Sequence, residues 1–246
     1  MSLNLERFRE TLQEANLNEY FPANSLLSLV TFTQKMLEIN KTLNLTRWTK
    51  DEDVLTYHFL DSAYGLPLLD DLKQKTISDK PRWLDLGTGC GFPGAVLAAA
   101  FPSWEITFLD SVRKKIKALE ECVSATNWDS KFLSLRAEEL GKDIKTRESW
   151  NGITARAIAD FRVVLEYAIP LLTIGGYLVN WMTEEQLSVL ERSEKALHEL
   201  NAKVIKKSCY SLPHSQKARW IVVVEKMGIT SKLYPRAIGK ASKLPL

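Results

Sequence analysis

Apolar residues recur along this chain with two different periods, and the change of period divides it. From Leu3 to about Leu17 the positions Leu5, Phe8, Leu12 and Ala15 lie three and four apart; a second run opens at Asn24, carries Leu27, Val30 and Leu37, and stops at the polar stretch Asn40 to Arg47. Such spacing lines apolar side chains along one stripe of a helix. A third helix opens at Asp51 or Asp53 and turns Val54, Leu55, Phe59 and Leu66 inward, with His58 and Asp61 spaced to share a face. Beyond the polar linker Lys73 to Lys80, short apolar runs alternate with helical stretches. The runs begin at Arg82, Trp104, Lys131, Gly152, Tyr177, Val204 and Trp220; the helices span Pro93 to Phe101, Val112 to Thr126, Asp160 to Leu172 and Thr183 to about Leu200. That alternation predicts an α/β fold with a doubly wound parallel sheet. The chain divides into a helical extension (1–72), an α/β domain (81–226) and a basic C-terminal arm (227–246) whose proline and glycine suit an extended conformation.

The chemistry concentrates in Trp83 to Gly94, where Leu84 and Leu86 form a buried strand, Gly87, Gly89 and Gly91 permit positive φ, and Pro93 pre-sets the first turn of a helix. Such a loop at the carboxyl end of a strand lets a flat ligand approach the backbone. Gly89, Gly91 and Gly94 also satisfy the dinucleotide spacing. Asp85 decides between the two, because a carboxylate there repels a pyrophosphate but favours the sulfonium and ammonium of S-adenosylmethionine. Asp110, 21 positions after Gly89, stands at the tip of the second strand, placed to accept from ribose hydroxyls and also to cap the helix that follows. Arg156 ends an otherwise apolar strand and must find a partner such as a carboxylate.

At 246 residues and 45% hydrophobic, the chain is long enough for a full core. It has no apolar run that spans a bilayer and no apolar leader at its start, so the expected location is cytoplasmic, with no membrane partner. Cys90, Cys122 and Cys209 form no C-x-x-C pair, which argues against a disulfide framework or a zinc site. The net charge is only +3, but residues 201–246 carry ten Lys and Arg against one acid, Glu225, while the rest carries 23 against 29. This asymmetry favours a polyanionic partner. Arg113, Lys114, Lys115 and Lys117 crowd the start of a helix, where the macrodipole prefers acids, so they read as phosphate contacts or as a solvated face.

Taken together, the chain resembles the bacterial small-subunit ribosomal RNA guanine-N7 methyltransferase family, also called the glucose-inhibited division protein B family. The likeness covers nearly the whole length: Asn44-Leu45-Thr46, His58 to Ser62, Asp85 to Gly94, Leu109-Asp110-Ser111 with Lys114-Lys115, Ala137-Glu138, Ala155-Arg156-Ala157, Gly175-Gly176, and Tyr234-Pro235-Arg236 to Pro245-Leu246. It implies a seven-stranded Rossmann-like fold, S-adenosylmethionine as cofactor, and a guanine in a conserved loop of 16S rRNA as acceptor. Gly87, Phe92, Ala137, Glu138 and Arg156 fall on the family's cofactor positions, beside Asp85 and Gly89 from the loop and Asp110 from the tip of the second strand. Arg47, His58, Lys114, Lys115, Arg236 and Lys240 are the expected RNA contacts, and His58 and Arg156 the groups expected to align the reactants. The expected partner is 16S rRNA or the small ribosomal subunit, met by a monomer without metal. Guanine N7 attacks with a free lone pair, so alignment rather than a general base supplies the acceleration. Phe92, Trp48 and His58 are expected to stack on or edge-contact an extruded base. The sequence departs from the family at Met182-Thr183, where a Lys-Gly pair is usual, and at Ala155, where serine is common. A methyltransferase for another acceptor, an RNA-binding protein without turnover and, opposed by Asp85, a dinucleotide oxidoreductase are the rival readings.

Overall fold

The computed structural model describes residues 3–75, 78–213, 215 and 217–246. Among them seven strands form one sheet: β1 (Arg82–Leu86), β2 (Glu105–Leu109), β3 (Lys131–Leu133), β4 (Trp150–Arg156), β5 (Leu172–Thr183), β6 (Ala202–Ser211) and β7 (Ala218–Lys226). Their order is β3-β2-β1-β4-β5-β7-β6. Strands β1 to β5 are parallel, as the alternation predicts, but β7 lies antiparallel between β5 and β6. The fully parallel expectation is corrected there, because the short connection 212–217 permits a hairpin and not a crossover.

The central strands are buried on both faces. Trp83 and Val179 share a core with Phe8, Phe32 and Phe59 of the N-terminal helices, while Leu84, Leu86, Ala155 and Met182 face a second core with Leu165 and Ile169. The helical extension therefore packs directly on one face of the sheet. The linker expected at Lys73 to Lys80 includes Thr76 and Ile77, which lie outside the described residues.

Local chemistry shifts several boundaries. The second helix, Ser25–Leu43, runs into the polar stretch and ends at Asn44 with φ 51°. The stretch itself is a built turn: the Asn40 amide donates to the Thr46 carbonyl (3.0 Å) and accepts from the Thr46 N–H (2.8 Å). The third helix widens into a π-helical turn over Leu55–Leu60. The helix expected to run from Thr183 to Leu200 is two, Glu184–Glu191 and Glu194–Glu199. Between them the buried Ser193 hydroxyl donates to the Val189 carbonyl (2.6 Å), a back-bond that bends helices.

The C-terminal residues are not an extended arm. Arg147 donates to the carbonyls of Thr230 (2.7 Å), Ser231 (3.1 Å) and Tyr234 (2.6 Å), and Arg236 pairs with the fully buried Glu166 at 2.6 Å. Arg236, part of the basic stretch, is spent here on a buried carboxylate and on the Leu244 carbonyl, whereas Lys232, Lys240 and Lys243 stay exposed.

Candidate functional site

The glycine loop takes the conformation its composition allows, with φ of 63°, 58° and 97° at Gly87, Gly89 and Gly91. Beneath it lies Asp85, 1% exposed. Its carboxylate accepts from the Thr88 hydroxyl, the Gly94 N–H (3.1 Å) and the Thr154 hydroxyl (2.8 Å). The β1–β4 register sets Asp85 beside Thr154, and a Cβ on Gly94 would stand 2.8 Å from the carboxylate. Burial pushes the Asp85 carboxyl up to about 6, against the lowering pull of these three donors. This corrects the expectation that Asp85 meets the cofactor: both of its oxygens are committed inward, and it is a positioning residue that folds the loop.

Beside the loop, at the carboxyl ends of the parallel strands, opens a cavity of about 320 Å³ lined by Leu86, Gly87, Leu109, Asp110, Ser111, Ala137, Glu138, Ile158, Tyr167 and Ser242. It thus brings together Gly87, Asp110, Ala137 and Glu138 of the expected cofactor residues. Asp110 accepts from the N–H of Gly89 (3.1 Å) and of Val112 (2.8 Å), so it ties the loop to the next helix. A carboxylate has about four acceptor sites, which leaves capacity for ribose hydroxyls. Apolar walls from Leu86, Leu109 and Ile158 suit a flat ring, and Gly87 keeps one side free of a Cβ. These residues fit an adenosine group. Phe92 lies outside this cavity, buried in an edge-on contact with Phe32 (centroids 5.9 Å apart) and stacked on His58 (5.4 Å).

Arg156 also lies outside it, turned toward the N-terminal helices. Its guanidinium donates to Asp61 (2.8 Å) and to the Tyr57 carbonyl in the π-helical turn (2.9 Å), and its other nitrogen is 3.3 Å from His58 Nδ1. Asp61, 2% exposed, also accepts from Tyr210 (2.6 Å) and Arg219 (3.2 Å), while its carbonyl accepts from the Trp181 indole (2.8 Å). Sequence reading missed Tyr210, Arg219 and Trp181 in this cluster. For Arg219 a signal existed, since it is a charge at the start of an apolar run, as Arg156 is at the end of one.

His58 is 7% exposed, with Nε2 on the Thr46 hydroxyl at 2.6 Å. Burial, seconded by the Arg156 charge, lowers its pKa to about 3, so the imidazole is neutral at working pH. Buried against one another, His58 and Phe92 are not stacking platforms for a base, which corrects that expectation. Trp48, half-buried, stacks on Tyr57 (centroids 4.3 Å apart, 19°), and the exposed Arg47 guanidinium lies 4.6 Å from the Trp48 ring.

Of the other expected RNA contacts, Lys114 and Lys240 are exposed, and Lys115 Nζ is 3.8 Å from Asp110. Arg236 is corrected: Glu166 and the Leu244 carbonyl (2.8 Å) occupy its guanidinium. Met182 lies buried in the second core, and Thr183 caps the helix after it by accepting from and donating to Gln186. At the place where the resemblance led one to expect Lys-Gly, this chain thus has a buried apolar side chain and a helix cap. Among the described residues, no group of three or more His, Cys, Asp and Glu is placed to hold a metal, and no helix is long and apolar enough to cross a membrane.

Comparison with known proteins bears on the fold and on the family. Among solved structures, a CurJ carbon methyltransferase superposes with a TM-score of 0.52 at 13% identity, covering 93% of this chain and 72% of that one. Methanococcus jannaschii fibrillarin pre-rRNA processing protein gives 0.50 at 12% identity, over 62% of this chain and 69% of that one. At such identities the likeness is of fold, a Rossmann-like methyltransferase sheet. The sequence is 35% identical over 219 residues to ribosomal RNA small subunit methyltransferase G of Alkaliphilus oremlandii, 89% of each chain. It is also 35% identical over 243 residues to the protein of that name from Ligilactobacillus salivarius, 98% of each. Since the family model described as GidB, rRNA small subunit methyltransferase G, matches residues 25–217, the chain belongs to that family of methyltransferases.

Proposed function

We propose that this protein transfers the methyl group of S-adenosylmethionine to N7 of a guanine in 16S rRNA. The observation that carries the reading is the cavity between the Gly87 turn, Asp110 and Glu138, in a chain whose relatives are rRNA methyltransferases. When bound, the cofactor supplies a methyl group on a sulfonium, already activated for in-line transfer.

The residues of this chain bind and align. Asp110 receives ribose hydroxyls, the apolar walls hold the ring, and Asp85 keeps the loop in shape from below. Arg156 is locked by Asp61 and Tyr57 at the end of β4, where it presents a fixed positive edge beside His58. A neutral, buried His58 is a poor proton acceptor. That favours an acceptor with a free lone pair and no proton to lose, such as guanine N7, over an exocyclic amine. The exposed Arg47 and Lys114 offer contacts for RNA phosphates around an extruded base. The protein acts as a cytoplasmic monomer on 16S rRNA or the small ribosomal subunit.

The test is tritiated methyl transfer to undermethylated ribosomal RNA followed by nucleoside analysis. Label in N7-methylguanosine is the expected result. Label in another nucleoside overturns the acceptor, and absence of label overturns the transfer.

A further inference from the structure

The segment that reads from sequence as a basic arm reaches the cofactor cavity. Arg147 and the Arg236–Glu166 pair fold residues 230–236 back onto the domain. The chain then turns at Gly239, where φ is +75°, and the Gly239 N–H donates to Glu138 Oε1 at 2.9 Å. Glu138 is 2% exposed and lines the cavity. Ala241 is buried next in line, and the Ser242 hydroxyl lies 3.1 Å from the Tyr167 hydroxyl. Ser242 and Tyr167 border the same cavity as Gly87 and Asp110.

We infer that residues 239–242 are a wall of the S-adenosylmethionine site and that the Ser242 and Tyr167 hydroxyls are further cofactor-binding groups. The inference rests on the assignment of that cofactor to this cavity. Each hydroxyl is donor and acceptor at once, so a pair joined to one another keeps hydrogen-bonding capacity toward a ligand. Adenosine presents ring nitrogens, an amine and ribose hydroxyls around an apolar plane. It needs polar partners of this kind set among walls such as Leu86 and Leu109. The Gly239–Glu138 bond couples the segment to the cavity floor, so an occupied cavity holds the segment down, and a loose segment opens the cavity.

Calorimetric titration of the full chain with S-adenosylhomocysteine tests this without turnover. Ser242→Ala and Tyr167→Phe are each expected to weaken binding by about two- to tenfold, the worth of one hydrogen bond. A chain ending at Ile238 is expected to lose more than tenfold, its folding checked by its unliganded melting temperature. In parallel, trypsin cuts after the exposed Lys240 and Lys243 should slow severalfold in saturating S-adenosylhomocysteine. Wild-type binding with unchanged affinity in Ser242→Ala and Tyr167→Phe and unprotected tryptic sites overturns the wall. No binding by the wild-type chain overturns the cofactor assignment itself, and the wall with it.

Discussion

Asp61 holds Arg156 across the joint between the helical layer and the sheet, Oδ2 to Nη1 at 2.8 Å, with Asp61 2% exposed and the Arg156 side chain 12%. Sheet register makes this possible. Arg156 on β4 pairs with Trp181 on β5, and Tyr210 on β6 pairs with Arg219 on β7; all four side chains converge on Asp61 from one face of the sheet. The helical layer is thereby fixed to the end of β4.

Breaking that joint should be costly. Asp61→Ala leaves two guanidinium groups without their carboxylate, and loss of one partner from a buried pair costs about 3–5 kcal/mol. Urea denaturation measures it. A loss under about 1 kcal/mol would put the pair among ordinary surface bridges.

His58 should give the folded state a distinct acid limit. Its pKa is about 3 when folded, against an ordinary value of 6.5, so the native state binds its proton less readily than the unfolded chain. The stabilisation is complete above pH 6.5 and is lost as pH falls toward 3, at up to about 1.4 kcal/mol per pH unit. Stability measured from pH 4 to 7 should fall less steeply toward acid in His58→Gln. Parallel curves would show that His58 titrates normally.

The same neutrality predicts the rate profile. Single-turnover methyl transfer at saturating RNA and cofactor should be nearly flat from about pH 6.5 to 9, because no base titrates in the step. A log-linear rise with pH, abolished in His58→Gln, would make His58 a base and exclude N7 as acceptor.

Asp110→Ala should weaken S-adenosylhomocysteine binding by about 1–3 kcal/mol through lost charge-assisted bonds. The variant also frees the Gly89 N–H, so its melting temperature without ligand is the control. Unchanged affinity by calorimetry would leave Asp110 a tie between loop and helix alone.

Two of the basic C-terminal residues, Arg236 and Lys240, should separate. Arg236→Gln removes the partner of buried Glu166 and is expected to cost about 3 kcal/mol or more of stability, measured by urea denaturation, while the salt dependence of RNA affinity stays as in wild type. Lys240→Gln should leave stability intact, and if it contacts a phosphate it should reduce the salt slope by about one unit. Equal stability of both variants would return Arg236 to the RNA surface.

The strand, glycine turn and helix from Trp83 onward, the alternation of strands and helices, and the placement of Asp110, Ala137 and Glu138 after successive strands are legible in the order of residues alone. These depend on local chemistry: positive φ at glycine, apolar period, and the rule that parallel strands present loops at their carboxyl ends. What the charged and aromatic side chains face depends instead on contacts between distant segments. Asp85, a cofactor contact by proximity in sequence, turns inward because β1 sets it beside Thr154 and beneath Gly94. His58 and Phe92, 34 positions apart, bury one another. Arg236 and Ser242, from one basic tail, part company, one to a buried carboxylate and one to the cavity rim. The energy of a charge or a hydroxyl depends on partners brought from distant segments and on how much water remains, and one-dimensional spacing carries neither quantity.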